Sequence, residues 1–194
     1  MHTIEPHFHW RDRYNAADDQ LSPFYGREYS EFQFTQKVYN YFIHPQWDHF
    51  GSPTLYMKIL YVDYDEGYAI MEFIGEWNDG VTNDIMYLKR DVVDELAVQG
   101  ISKYILICEN VLNFHGSDDC YYEEWLDDVQ DSNGWICLVN LLEHVQTEME
   151  ETQLQYFVNL GGNFNDVIWR PHTPKVFFKL IEQIIHSETK QLRY

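Results

Sequence analysis

The chain has 194 residues, 45% hydrophobic and 17% aromatic, with 13 Lys and Arg against 32 Asp and Glu, for a formal net charge of −19. That much apolar material closes one ordinary core without disulfides or metal and excludes a chain disordered throughout. The charge excludes a nucleic-acid binder, which needs clustered cations to displace counterions from phosphates, and it disfavours an anionic membrane surface.

A protein partner with a basic surface, or a small ligand, remains compatible with this charge. Three cysteines, Cys108, Cys120 and Cys137, lack metal-type spacing. Cys108 and Cys137 sit inside apolar runs where a thiol behaves as a small hydrophobe. The opening residues show neither a basic stretch nor an apolar one, and no run approaches the ~18 apolar residues needed to span a bilayer. The expected location is the cytoplasm, without cofactor.

In chain order, residues 1–54 read as an aromatic arm, 55–189 as an α/β domain and 190–194 as a frayed tail. Within the arm, Val38 to Ile43 reads as a short strand and Glu31 to Phe34 as another. The density of Trp10, Phe24, Tyr25, Tyr29, Phe32 and Phe34 predicts an arm packed on the body, because free rings would leave an adhesive patch in water. It is also the element through which a homodimer would form. Leu55 to Tyr64 and Tyr68 to Trp77 are β-formers around Asp65-Glu66-Gly67, a hairpin.

A helix follows from Ile85 to about Gln99, capped by Asn83 or Asp84 and ended by Gly100, with Ile85, Leu88, Val92 and Leu96 on one face. Tyr104 to Cys108 reads as a buried strand. Ser117 with Asp118 and Asp119 opens a second helix carrying Tyr122, Trp125, Leu126 and Val129. Trp135 to Asn140 is a strand, Leu141 to Glu151 a helix, Leu154 to Leu160 a strand, and Pro174 starts the last helix. Strands alternating with helices of this length predict an α/β fold with a mostly parallel or mixed central sheet and flanking helices.

Four segments carry a family likeness: Ile74-Gly75-Glu76-Trp77-Asn78-Asp79, Tyr104 to Cys108, Val111 to Ser117, and the helix after it. From about residue 68 to 185 the chain resembles the STAS domain of anti-sigma-factor antagonists. The resemblance implies a non-catalytic regulatory module that binds a partner protein, with Ser117 at the place of a phosphorylated serine. Gly116 stands where that family has an acidic residue.

The candidate sites follow from position and chemistry. Loops around Asn78, Asp79 and Asn113 should meet at the carboxyl ends of the strands, where open α/β sheets gather ligands. The helix bearing Tyr121, Glu124 and Trp125, with the acidic run Glu123-Glu124 and Asp127-Asp128, offers either a solvated face or an aromatic, acidic partner surface. A second reading is a small hydrolase, with His115 as acid or base beside Asp118 or Asp119. Its metal-assisted form would use His44, Asp48 and His49, whose spacing lets them converge in a turn. Glycine-rich phosphate loops and the nucleophile elbow are absent from the sequence.

Overall fold

A computed structural model describes residues 4–191. A small hairpin, β1 (Lys37–Val38) and β2 (Tyr41–Phe42), comes first. Then β3 (Leu55–Asp63), β4 (Tyr68–Asn78), β5 (Lys103–His115) and β6 (Trp135–Val139) form one sheet in that order. The sheet is mixed: β3 and β4 are antiparallel, whereas β4, β5 and β6 run parallel.

Each parallel step requires a crossover. From β4 to β5 it is one helical stretch, α1 (Asp84–Leu88), a π-helical turn (Lys89–Val93) and α2 (Asp94–Val98), closed by Gly100 at φ +89°. From β5 to β6 it is α3 (Cys120–Gln130), and α4 (Glu143–Glu151) follows β6. The order advances in one direction, so right-handed crossovers put these helices on the same face. There Met71, Phe73, Trp77, Leu106 and Cys108 meet Ile85, Leu88, Trp125 and Val145. The alternate residues Tyr68, Ile70, Ile105 and Ile107 point to the opposite face, as the period of two dictates. They are covered by α5 (Pro174–Gln191) through Phe177, Phe178 and Ile181, with Trp10 and Trp169 beside them.

Several elements differ from expectation. Leu154 to Leu160 is not a strand: a 3₁₀ turn takes Leu154–Tyr156, and only Asn159 bridges β6, at Cys137. Gln153 sits at φ +65° and the Phe157 and Val158 amides donate back to Leu154 O, so the chain is wound where pairing would require it extended. Conversely, the central strand does not stop at Cys108. It runs on to His115 because β4 continues to pair with it as far as Asn78.

The second crossover helix starts at Cys120 with Asp119 at its N-cap, not at Ser117. Asn83 does take the N-cap position of the first helix, at φ +54°, but no side-chain capping bond forms there; Asp79 Oδ1 accepts the Ile85 N–H at 2.8 Å instead. The stretch 38–43 is a hairpin turned by Tyr39 at φ +52°, and 31–34 is bent by Ser30 Oγ, which accepts the Phe32 and Gln33 amides. Helix α5 continues to Gln191, and the rest of the expected frayed tail, 192–194, lies outside the described residues. Among the described residues no helix is long and apolar enough to cross a membrane.

In the arm, Trp10, Phe24, Trp47 and Phe50 are buried, Tyr29 and Phe34 half-buried, and Tyr25 and Phe32 exposed. Trp47 closes a small third cluster with Val38, Ile43, Tyr56 and Ile74, which seats the β1–β2 hairpin on β3 and β4.

Candidate functional site

The parallel register pairs Asn78 with His115, which brings the two expected loops to one rim. His115 O accepts the N–H groups of both Asp79 (2.8 Å) and Gly80 (3.0 Å), locking the chain ends together. Asn78 Oδ1 accepts the Val81 N–H at 2.9 Å and so shapes the next turn.

One step back along the strands, Glu76 and Asn113 are register partners, and the hairpin reaches them. Tyr39 OH donates to Glu76, and Asn113 Nδ2 lies 3.0 Å from Glu76 Oε1 and 2.9 Å from Tyr39 OH. Burial opposes ionisation of Glu76, but the bonds from Tyr39 and Asn113 and the nearby His115 outweigh it and hold the carboxyl below its usual range. This polar clasp borders an apolar cleft of about 110 Å³ lined by Val38, Tyr39, Tyr41, Ile43, Ile74 and Leu112. Tyr39, Tyr41 and Phe42 are exposed, and Phe32 is 89% exposed. Interface cores favour such aromatic side chains.

The other expected residues divide sharply. Trp125 has no exposed surface and packs on Tyr104, with ring centroids 5.1 Å apart, so it cannot touch a partner. Asp79 is also buried. Its carboxylate accepts from Trp77 Nε1 (3.0 Å), Ile85 N–H (2.8 Å) and Tyr122 OH (2.7 Å), and burial pushes its pKa up to about 6. Both are structural, because an amphipathic helix directs its aromatic stripe inward and an orphan helix amide needs an acceptor.

The acidic face of α3 is half neutralised internally. Glu124 accepts two bonds from Arg90, at 2.6 and 2.8 Å, and Asp128 lies 2.8 Å from the buried Lys89 ammonium, which Asp94 also meets. Tyr121 sits beside Arg90, whose guanidinium lies 5.5 Å from the ring centre. Glu123 and Asp127 alone keep the solvated role.

The structure does not assemble the hydrolase reading. His115 is exposed, and its charged neighbour is Glu76; no hydrogen bond joins its ring to Asp118 or Asp119 among the described residues. Asp118 instead accepts the Cys120 N–H at 3.3 Å. Asp48 is buried between Lys58 Nζ (3.0 Å) and Arg27 (3.2 Å), with Tyr29 OH donating at 2.6 Å. His44 and His49 turn to the local Gln46 and Gly51 amides. Among the described residues, the acid group whose donor atoms converge within 4.8 Å is Asp94, Glu124 and Asp128, and Lys89 occupies it.

Ser117 is exposed. A Cβ on Gly116 would stand 2.5 Å from Thr152 Cγ2, so an acidic residue here would require the Thr152 side chain to shift.

A further cluster had no motif to announce it. Glu72, in the middle of β4, is 1% exposed, accepts the His7 N–H at 2.8 Å and lies 3.8 Å from Arg170, which also ion-pairs with Glu109. Burial pushes Glu72 up to about 7 and His7 down to about 4. The available signal was an acid inside each of two apolar runs, Ile70-Met71-Glu72-Phe73-Ile74 and Ile107-Cys108-Glu109-Asn110-Val111.

No family model and no curated protein matches the chain. Among solved structures it is similar to a crystal structure from Thermotoga maritima provisionally described as an anti-sigma factor antagonist. That match has 23% identity and a TM-score of 0.39, over 53% of this chain and 81% of the other. An NMR structure of the same protein matches at 19% identity and a TM-score of 0.38, over 64% and 86%. Neither match carries a residue role across to this chain.

Proposed function

We propose that this chain is a non-catalytic, cytoplasmic regulatory module that binds a protein partner at the rim formed by the β1–β2 hairpin and the ends of β4 and β5. The observation that carries the reading is the exposed aromatic surface of the hairpin: Tyr39 lines the apolar cleft at the Glu76–Asn113 clasp, and Phe32 and Phe42 line a neighbouring hollow that shares Tyr41 with it. Contiguous exposed aromatics rimmed by polar groups mark interaction surfaces. Asn78 and Asn113 supply the polar edge. The net charge of −19 favours a partner with a basic surface, by steering its approach.

Ser117 is exposed in the loop between β5 and α3. Phosphate there would meet Asp118 and Asp119, whose repulsion would unsettle the loop ahead of α3.

The test compares proteins retained from the source organism's lysate by the wild-type chain and by a Phe32→Ser/Phe42→Ser variant, at low and moderate salt. A partner held by the wild type, released by salt and lost in the variant supports the reading. An unchanged set of proteins rejects the hairpin surface. Hydrolytic turnover that survives purification and is lost in His115→Ala would reject the non-catalytic reading.

A further inference from the structure

We propose that the hollow between the turn at 9–13 and the loop at 170–173 binds a small phosphate-bearing anion. The hollow measures about 270 Å³ and is lined by His9, Trp10, Arg13, Arg170, His172 and Thr173. It lies below the volume usual for drug-sized ligands, which suits a phosphate monoester with a short organic group.

A chain this acidic should bind up its cations internally, and it does so almost throughout. Among residues 4–188, each other Lys and Arg has a carboxylate within 4.0 Å or, for Lys37, the Phe42 ring; Arg13 has neither. This unpaired guanidinium lines the same hollow as Arg170, whose own guanidinium lies 4.7 Å from the Trp169 ring centre and is fixed by Glu109. Two guanidinium forks present N–H donors in the geometry that phosphate oxygens accept.

Both walls are anchored to one buried residue. Trp10 O accepts the Arg13 N–H (2.9 Å) and the Tyr14 N–H (3.0 Å), and Trp10 Nε1 donates to His172 O at 3.0 Å. The backbone of both walls is therefore fixed before any ligand arrives, which lowers the ordering cost of binding. His7 packs against His9 and Trp10, with ring centroids 5.4 and 4.9 Å away; it is buried and its Nε2 has no protein partner. Glu109 and Glu72 oppose an anion from behind Arg170 and keep the affinity modest.

The test titrates inorganic phosphate, glycerol phosphate and chloride at matched ionic strength into the full-length chain and follows the Trp10 indole N–H by NMR. The expected result is a saturable shift with either phosphate compound and none with chloride. Arg13 is exposed, so Arg13→Gln should leave the rest of the spectrum unchanged and weaken binding about 10-fold or more, as expected for losing charge-assisted hydrogen bonds. Lys37→Gln should bind as the wild type does. A response common to chloride, the absence of saturation, or wild-type affinity in Arg13→Gln would each overturn the proposal.

Discussion

Asp79 offers the sharpest test of how the rim is built. Its carboxylate, 3% exposed, receives Trp77, Ile85 and Tyr122, and of these donors the Trp77 N–H alone also meets a second acceptor, the Tyr122 oxygen. Asp79→Ala therefore strands up to three buried donors. At about 1–3 kcal/mol each, and with neighbours that relax together, the loss should be about 3–6 kcal/mol. Asp79→Asn behaves differently, because its carbonyl keeps Trp77 and Ile85 and its amide donates to the Tyr122 hydroxyl. What it removes is a charge that burial disfavours. A carboxyl raised from 3.8 to about 6 corresponds to about 3 kcal/mol. The folded state holds this proton more tightly than the unfolded state does. Its stabilising contribution is therefore complete below pH 3.8 and lost once pH has risen past about 6. Urea titrations followed by tryptophan fluorescence should find Asp79→Asn gaining on the wild type by up to about 3 kcal/mol between pH 4 and pH 7.5. A pH-independent difference between the two, or an Asp79→Ala chain as stable as the wild type, would refute the assignment.

Glu72→Gln should show the same sense of pH dependence, because Glu72 rises from 4.5 to about 7: wild-type stability falls across that window and the variant's does not, read by thermal melts across pH. His7 works oppositely. Burial lowers it from 6.5 to about 4, so its contribution is complete above pH 6.5 and lost on acidification to about 4; His7→Phe should resist acid release of the arm, seen as retained burial of Trp10. Gly75→Ala would place a Cβ 2.1 Å from Thr54 O at φ +119°, costing at least about 3 kcal/mol and lowering Tm by about 6–12 °C in calorimetry. Lys89→Met leaves Asp128 without its cation and Asp94 and Glu124 with Arg90 alone; the expected loss of about 1–2 kcal/mol, discounted because these acids are partly exposed, should shrink in a Glu124→Gln background, measured as a double-mutant cycle.

The sheet and crossovers were legible because their signals are strong and local. Ile85, Leu88, Val92 and Leu96 recur at helical spacing, and Gly100 stops them at a positive φ. The strand β6 is an unbroken apolar run buried on both faces. Boundaries failed where partners distant in sequence decide them. Residues 109–115 are strand only because β4 continues alongside, and Asn159 contributes a single bridge because the residues before it wind into a turn. Asn78 and His115 do meet at one rim, yet Trp125 and Asp79 prove structural. An aromatic residue or an acid in the right neighbourhood carries no mark that says whether it faces water. The clasp at Glu76 depends on Tyr39, 37 residues away, a pairing that no local pattern encodes.

The acids inside β4 and β5 explain why the arm exists where it does. On the face away from the crossovers, α5 covers Tyr68, Ile70, Ile105 and Ile107, and the hairpin cluster covers Ile74. Between those footprints stand Glu72 and Glu109, and the ladder is irregular there: Glu72 pairs with Ile107 but Ile74 with Asn110, so β5 carries one extra residue at the joint. A bulge bends a strand and re-aims its side chains. A sheet face crossing from one covering layer to another leaves a seam that neither layer dries completely, and polar groups belong in such a seam provided they are satisfied. Arg170 arrives from the loop before α5 and His7 from the arm, each donating to the seam. The two ends of the chain are thereby tied to the same pair of acids. A variant in which Glu72 and Glu109 are both replaced by leucine should consequently free the arm around His7 and loosen the loop at 170–173 together, as faster hydrogen exchange at both segments. Protection lost at only one of them would show that the seam does not couple the ends.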